Sequence, residues 1–215
     1  VREIDGQSYS TPPARKKSSY HIYYPRTIEW YTMGDSLEKT DIIKRKIMTH
    51  GAIGTCMNSD YKYMSGDTQY QPPSSEERQT HVVAIIGWDD DKVTQAPEKG
   101  AWLAKDSSWR GFFWISYYDK NAGKDPMMGA VSFQEIELLR YDHIYYHDYH
   151  GWRGSIPEIS EAINVFKTHE DEQLTAISFY TAADSVDYEL KVFDTFGANN
   201  PADEMLAQSG TIDHK

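Results

Sequence analysis

Three closely spaced runs of strand-forming residues constrain this chain more than any other feature. HVVAIIGW (81–88) is a nearly continuous apolar run, the pattern of a strand buried on both faces. AWLAKD (101–106) and FFWISYY (112–118) follow, separated by WDDDKVTQAPEKG and by the tight connection SSWRG. Short strands joined by brief polar links predict an antiparallel sheet or barrel. The composition agrees: 39% of residues are hydrophobic and 13% aromatic, with 16 Tyr and 6 Trp. That is enough apolar surface for a core, in residue types that favour sheets.

One helix is predicted upstream of these strands. Thr40 is placed to cap it, Asp41 lies in its first turn, and Ile43, Ile47 and Met48 share one face. His50 falls in the last turn and Gly51 supplies a left-handed stop. GAIGTCM (51–57) then reads as a short strand. Residues 58–80, rich in Ser, Asp, Gln and Pro, read as a long surface loop, and residues 1–27 as an extended lead-in. From about 135 onward the strand pattern stands alone. HIYYHDY (143–149), AINVFK (162–167), LTAISFYT (174–181) and YELKVFD (188–194) are spaced by Gly, Asp, Ser and Pro, a sandwich-like signature. The expected organisation is therefore α+β in two domains, 1–134 and 135–215.

Charge and cysteine content exclude several function classes. The formal charge of -11 argues against nucleic acid as a partner, because phosphate binding needs clustered Lys and Arg. The single basic cluster, Arg15-Lys16-Lys17, reads as a solvated surface segment. No stretch approaches the roughly 18 apolar residues of a membrane span. The N-terminal VREIDGQSYS lacks the apolar segment of a signal peptide, so either a signal has been removed or the chain begins within a longer protein. A single cysteine, Cys56, leaves no internal disulfide framework.

Taken in order, three segments resemble the papain (C1) family of cysteine peptidases. IIKRKIMTHGAIGTCM is similar to the helix and strand that open the right-hand subdomain. THVVAIIGWDDD is similar to the strand carrying the catalytic histidine, HAV-x-x-x-GW/Y. GAWLAKDSSWRGFFWISYYD resembles the strand pair holding the catalytic asparagine, W-x-x-KNSWG…WG…GYF. With the β-rich tail, the set resembles prokaryotic members that carry a C-terminal lectin-like domain. The resemblance covers roughly residues 38–209. It implies a papain-like right-hand β-barrel subdomain followed by a partial antiparallel β-sandwich, and a secreted or cell-surface location.

The same resemblance implies roles for individual residues. His81 is the expected catalytic imidazole, which takes the thiol proton and later protonates the leaving amine. Asp106 falls at the family's asparagine, the group that orients the imidazole, with Ser107 the alternative counterpart because SSWRG is shorter than the family's connection. Trp109 corresponds to a tryptophan shielding that hydrogen bond. Thr80, Thr55, Cys56 and Met57 lie on segments bordering the substrate pocket. A thiol needs a neighbouring imidazole to become a thiolate, and the imidazole needs a third group to hold its tautomer. The family's nucleophile, a Cys-Trp at a helix N-terminus, and its oxyanion glutamine are absent; both belong to a helical subdomain expected to precede residue 1. The lectin-like domain is likewise expected to run past GTIDHK. The chain is thus expected to be a fragment, a processed chain or a degenerate enzyme.

The expected partners are a peptide or protein substrate, the helical subdomain bearing the nucleophile, and glycans; no metal or organic cofactor is implied. The alternative is a non-catalytic papain-like surface protein that binds glycans or proteins. Competing readings attach to single residues. Cys56 sits within a strand, where nothing local would lower its pKa, so it is expected to be a small buried or pocket-lining residue. His143, His147 and His150 would align on a helix as metal ligands, but Ile144, Tyr145, Tyr146 and Tyr149 favour a strand. Asp89-Asp90-Asp91 lacks the EF-hand spacing and reads as a solvated turn. Ser107 and Ser108 lack a G-x-S-x-G elbow.

Overall fold

The computed structural model describes residues 22–107, 111–147, 156–183, 185–195 and 204–213. The chain forms two compact units, one spanning Ser19–Arg140 and the other containing Tyr141–Lys215. The architecture is mostly β with one helix, compatible with the expected α+β class.

In the first unit, β1 (Tyr23–Tyr31) and α1 (Thr40–His50) are followed by β2 (Ile53–Met57), β3 (Met64–Ser65) and β4 (Thr68–Gln69). Then come β5 (His81–Asp89), β6 (Ala101–Lys105), β7 (Phe112–Ser116) and β8 (Ala130–Leu138). Together they make an eight-stranded sheet in the order β1-β8-β2-β5-β6-β7-β4-β3. The pairings are antiparallel except that of β4 with β7. The sheet is open, which corrects the barrel expectation. Closure requires the two edge strands to pair, and the two-residue strands at the β3–β4 edge offer too little backbone to meet the nine-residue β1.

Burial follows the helix. Ile43 and Ile47 pack into one cluster with Ile53, Val83, Ile85, Trp102 and Ile115, so α1 covers one face of the sheet. Strand β5 is therefore half-buried rather than buried on both faces: Val83 and Ile85 point inward, while Val82 and Ile86 are 53% and 37% exposed. A bulge between Ile85 and Gly87 re-aims the strand and sets Trp88 opposite Trp102.

The helix begins and ends where its pattern predicts, with two differences. Thr40 is its first residue rather than its cap, and its hydroxyl donates back to the Leu37 carbonyl at 2.8 Å. Met48 is exposed, because a residue five positions after Ile43 has rotated past the buried stripe. Gly51 stops the helix at φ 91, ψ -149, with its N–H bonded to the Ile47 carbonyl at 3.0 Å. That conformation is open to glycine because it lacks a Cβ.

Long-range contacts account for stretches that the local pattern leaves undefined. Residues 23–27, read as lead-in, belong to β1, which is laddered to β8 from Tyr23 opposite Leu138 to Tyr31 opposite Ala130. Strand β8 also runs through the expected junction at 134/135, and the compact units divide after Arg140. The loop 58–80 is not wholly a surface segment, since Thr68, Gln69 and Gln71 are buried.

In the second unit, β9 (Ser185–Phe193) and β10 (Glu204–Asp213) form an antiparallel ribbon. Among the described residues there is no second sheet, so no sandwich is formed. Residues 143–147, 162–167 and 174–181 are not in strands, and Ile163, Val165, Leu174 and Ile177 are exposed.

Candidate functional site

His81 opens β5, opposite Met57 of β2. Asp106 directly follows β6, whose Lys105 lies opposite Ala84. This register places His81 and Asp106 diagonally on one face of adjacent strands, within reach of each other. His81 Nε2 lies 3.0 Å from Asp106 Oδ1. Asp106 is only 2% exposed, whereas the His81 side chain is 28% exposed. The carboxylate is thus sheltered and the imidazole partly exposed. Asp106 is further fixed by its N–H to the Gly111 carbonyl at 2.9 Å and by Lys105 Nζ on its own carbonyl at 2.7 Å.

The chemistry of the pair follows from donor counting. An ionised carboxylate can only accept, so Nε2 is the donor, and in a neutral ring Nδ1 then presents the lone pair. Nδ1 has no hydrogen-bond partner among the described residues. An imidazole held in this way has the geometry that general-base chemistry requires. Between the two sequence alternatives, the residue in contact with the imidazole is Asp106; Ser107 is exposed. Trp109 and Ser108 lie outside the described residues.

The residues expected at the pocket wall divide into two groups. Thr80 is exposed; its N–H donates to the Met57 carbonyl at 2.9 Å, and its Oγ1 accepts from the Ser59 N–H at 2.9 Å. Thr80 lines an open hollow together with Asn58, Ser59, Asp60, Glu77 and Arg78; His81 is not part of its lining. Asn58 staples the hollow, donating to the Arg78 carbonyl at 2.9 Å and accepting from the Asp60 N–H at 2.9 Å. Lys62 bridges Glu77 and Asp60. These polar lining residues were hidden in a stretch that reads as ordinary surface loop; no local pattern distinguishes them.

Thr55, Cys56 and Met57, in contrast, are buried. Thr55 Oγ1 donates to the Gly129 carbonyl at 2.8 Å and accepts from the Gly123 N–H at 2.9 Å, so its hydroxyl is spent inside the protein. Met57 joins the core cluster. Cys56 lies opposite Val82, on the sheet face away from His81, because side chains alternate along β2 and β5. Burial pushes the Cys56 thiol up to about 12, and the Asp125 and Asp119 charges act in the same direction. Such a thiol is protonated at neutral pH and points away from the imidazole.

The other candidates also find their places. Asp90 accepts from Lys44 Nζ at 2.5 Å and from the Tyr117 hydroxyl at 2.8 Å, and the hydrogen bond from Lys44 holds its carboxyl below the usual range. Asp91 pairs with Lys99 at 3.3 Å. His143 Nδ1 meets Glu172 Oε1 at 2.6 Å, and His147 Nε2 lies 3.3 Å from the Val165 carbonyl. His150 lies outside the described residues. Among the described residues, no group of three or more His, Cys, Asp or Glu has the geometry to hold a metal.

Residues 144–215 match the lectin-like domain family. No curated protein matches the chain. Among solved structures, it is similar to the cysteine protease and lectin-like domains of Cwp84, a surface layer associated protein of Clostridium difficile. There the identity is 23% over 54% of this chain and 27% of that one, with a TM-score of 0.44. A Cwp84 structure after propeptide cleavage gives 23% identity, 59% and 34% coverage, and a TM-score of 0.46. SERA5E from Plasmodium falciparum gives 15% identity, 61% and 52% coverage, and a TM-score of 0.32. The chain thus spans about a quarter to a half of the proteins it matches. At these values the likenesses assign neither a reaction nor a ligand to it.

Proposed function

We propose that this chain supplies the histidine wall of a papain-like cysteine peptidase of the secretory route or cell surface. Its nucleophilic cysteine would come from a helical subdomain outside these residues. The observation carrying this reading is the 3.0 Å contact between His81 Nε2 and the buried Asp106 carboxylate, which makes Nε2 the donor and assigns proton uptake to Nδ1 of the neutral ring. In this mechanism Nδ1 accepts the thiol proton and the thiolate attacks the peptide carbonyl carbon. The imidazolium then protonates the leaving amine as the C–N bond breaks, leaving a thioester. Water, deprotonated by the same imidazole, releases the acid and regenerates the thiol. Asp106 keeps the ring oriented through each proton transfer.

The test uses the full-length protein and a fluorogenic peptide. His81→Ala should lower turnover by about 10²–10⁴-fold, the usual contribution of a general acid–base group. Asp106→Asn keeps an accepting oxygen and should preserve activity, whereas Asp106→Ala should not. Wild-type turnover in His81→Ala overturns the assignment.

A second reading rests on a different observation, the match of residues 144–215 to the lectin-like domain family. In it the papain-like unit is inert and the chain is a glycan- or protein-binding module. A thiol-directed epoxide separates the two. One adduct on a cysteine outside residues 1–215 supports the peptidase, and absence of any adduct on the full-length protein supports the binder.

A further inference from the structure

In the second unit, two irregular segments bring five rings into a chain of contacts that ends on one carboxylate. The His147 and Phe166 rings are stacked, with centroids 4.7 Å apart and planes 16° from parallel. The His143 and His169 rings lie 4.8 Å apart, and the Tyr145 ring lies 5.9 Å from Phe166. At that end, Glu172 accepts from the Tyr145 hydroxyl at 2.8 and 2.9 Å and from His143 Nδ1 at 2.6 Å. The Tyr145 hydroxyl is itself fixed by the His169 backbone N–H at 3.1 Å. Both Glu172 and Phe166 lie at the surface, Phe166 being 40% exposed.

We infer that this cluster is a binding patch for an uncharged saccharide, an inference that rests on the binding-module reading above. A sugar presents one face of polarised C–H groups and a rim of hydroxyls. Phe166, stacked on His147 through one face, still keeps 40% of its surface exposed and offers that apolar surface to the first, and Glu172 offers acceptor capacity to the second. A carboxylate has about four acceptor directions, and among the described residues Tyr145 and His143 are its two donors. The fixed Tyr145 hydroxyl holds the carboxylate in place before a ligand arrives, which lowers the ordering cost of binding. Glu170 and Asp171 beside Glu172 make the patch acidic and select against anionic sugars.

The experiment presents the full chain to an array of neutral oligosaccharides, uronate-bearing oligosaccharides and a Lys-rich peptide. Binding to neutral oligosaccharides is expected, weakened at least tenfold by Phe166→Ala and by Glu172→Gln. Phe179→Ala, away from this cluster, should bind as wild type. Glu172→Gln removes charge at constant shape, so it tests the patch even if Phe166→Ala loosens the fold, and unchanged melting of the variant completes the control. Neutral binding that survives both substitutions overturns this site while leaving a binding module elsewhere. Binding of the peptide or of acidic sugars alone, or of nothing, overturns the saccharide assignment and leaves the protein-binding form of the module and the peptidase assay untouched.

Discussion

Alkylation of Cys56 offers a sharp check on how this sheet divides its chemistry. Its thiol is 2% exposed and raised from 9.0 to about 12 by burial, with Asp125 and Asp119 adding to the shift. At about pH 8 an ordinary thiol is roughly one-tenth thiolate, whereas one with a pKa near 12 is about one part in ten thousand, and only the thiolate reacts. Labelling of the folded protein by iodoacetamide should therefore run about a thousandfold slower than in denaturant, before occlusion slows it further. Intact mass against time, with and without denaturant, reads this directly. The same shift has a pH signature. The folded chain keeps a proton that the unfolded chain releases above about 9, so this contribution to stability is whole below that pH. It is lost progressively as the pH climbs toward 12, at up to about 1.4 kcal/mol per unit. Cys56→Ser should leave the His81-dependent peptidase rate unchanged. Native labelling within tenfold of the denatured rate would refute both the burial and the assignment of Cys56 as a non-nucleophile.

Two further outcomes follow from buried polar groups. Burial raises the Glu29 carboxyl, but Lys46 at 2.7 Å and hydrogen bonds from Tyr31 and Gln134 outweigh it and hold the group below 4.5. Lys46→Met leaves a sheltered charge unpaired and should cost about 3 kcal/mol near neutral pH. Because a depressed carboxylate stabilises above its unfolded pKa and ceases to as pH falls through the folded one, the gap should close in acid; urea unfolding at neutral and acidic pH measures it. Thr55→Val should cost about 2 kcal/mol by stranding the Gly129 carbonyl and the Gly123 N–H, while leaving KM for peptide unchanged. A raised KM at unchanged stability would put Thr55 back at the pocket wall.

Much of the first unit is legible in the chain because its signals are local. Ile43 and Ile47 repeat at helical spacing and Gly51 ends the turn, so α1 needs no outside information. The runs that become β2, β5, β6 and β7 are bounded by polar links that permit only short strands. The family resemblance, and no local pattern, put Asp106 or Ser107 beside His81, and the 3.0 Å contact of His81 with Asp106 follows from the register of β5 on β6. Other features depended on partners far away in sequence. Strand β1 exists because β8, about a hundred residues later, pairs with it. Val82 and Val83 are chemically alike, and only the side on which α1 packs decides that one is exposed and the other buried. Thr55 looked like a pocket residue until Gly129 and Gly123 took both of its hydrogen bonds. The rings near Glu172 come from two separate irregular segments, so no window of local pattern holds them together. Local periodicity sets which element a segment can form; which face is wet, which hydroxyl is spent and which side chains meet are set by non-local contacts, and those exist only once the chain has folded.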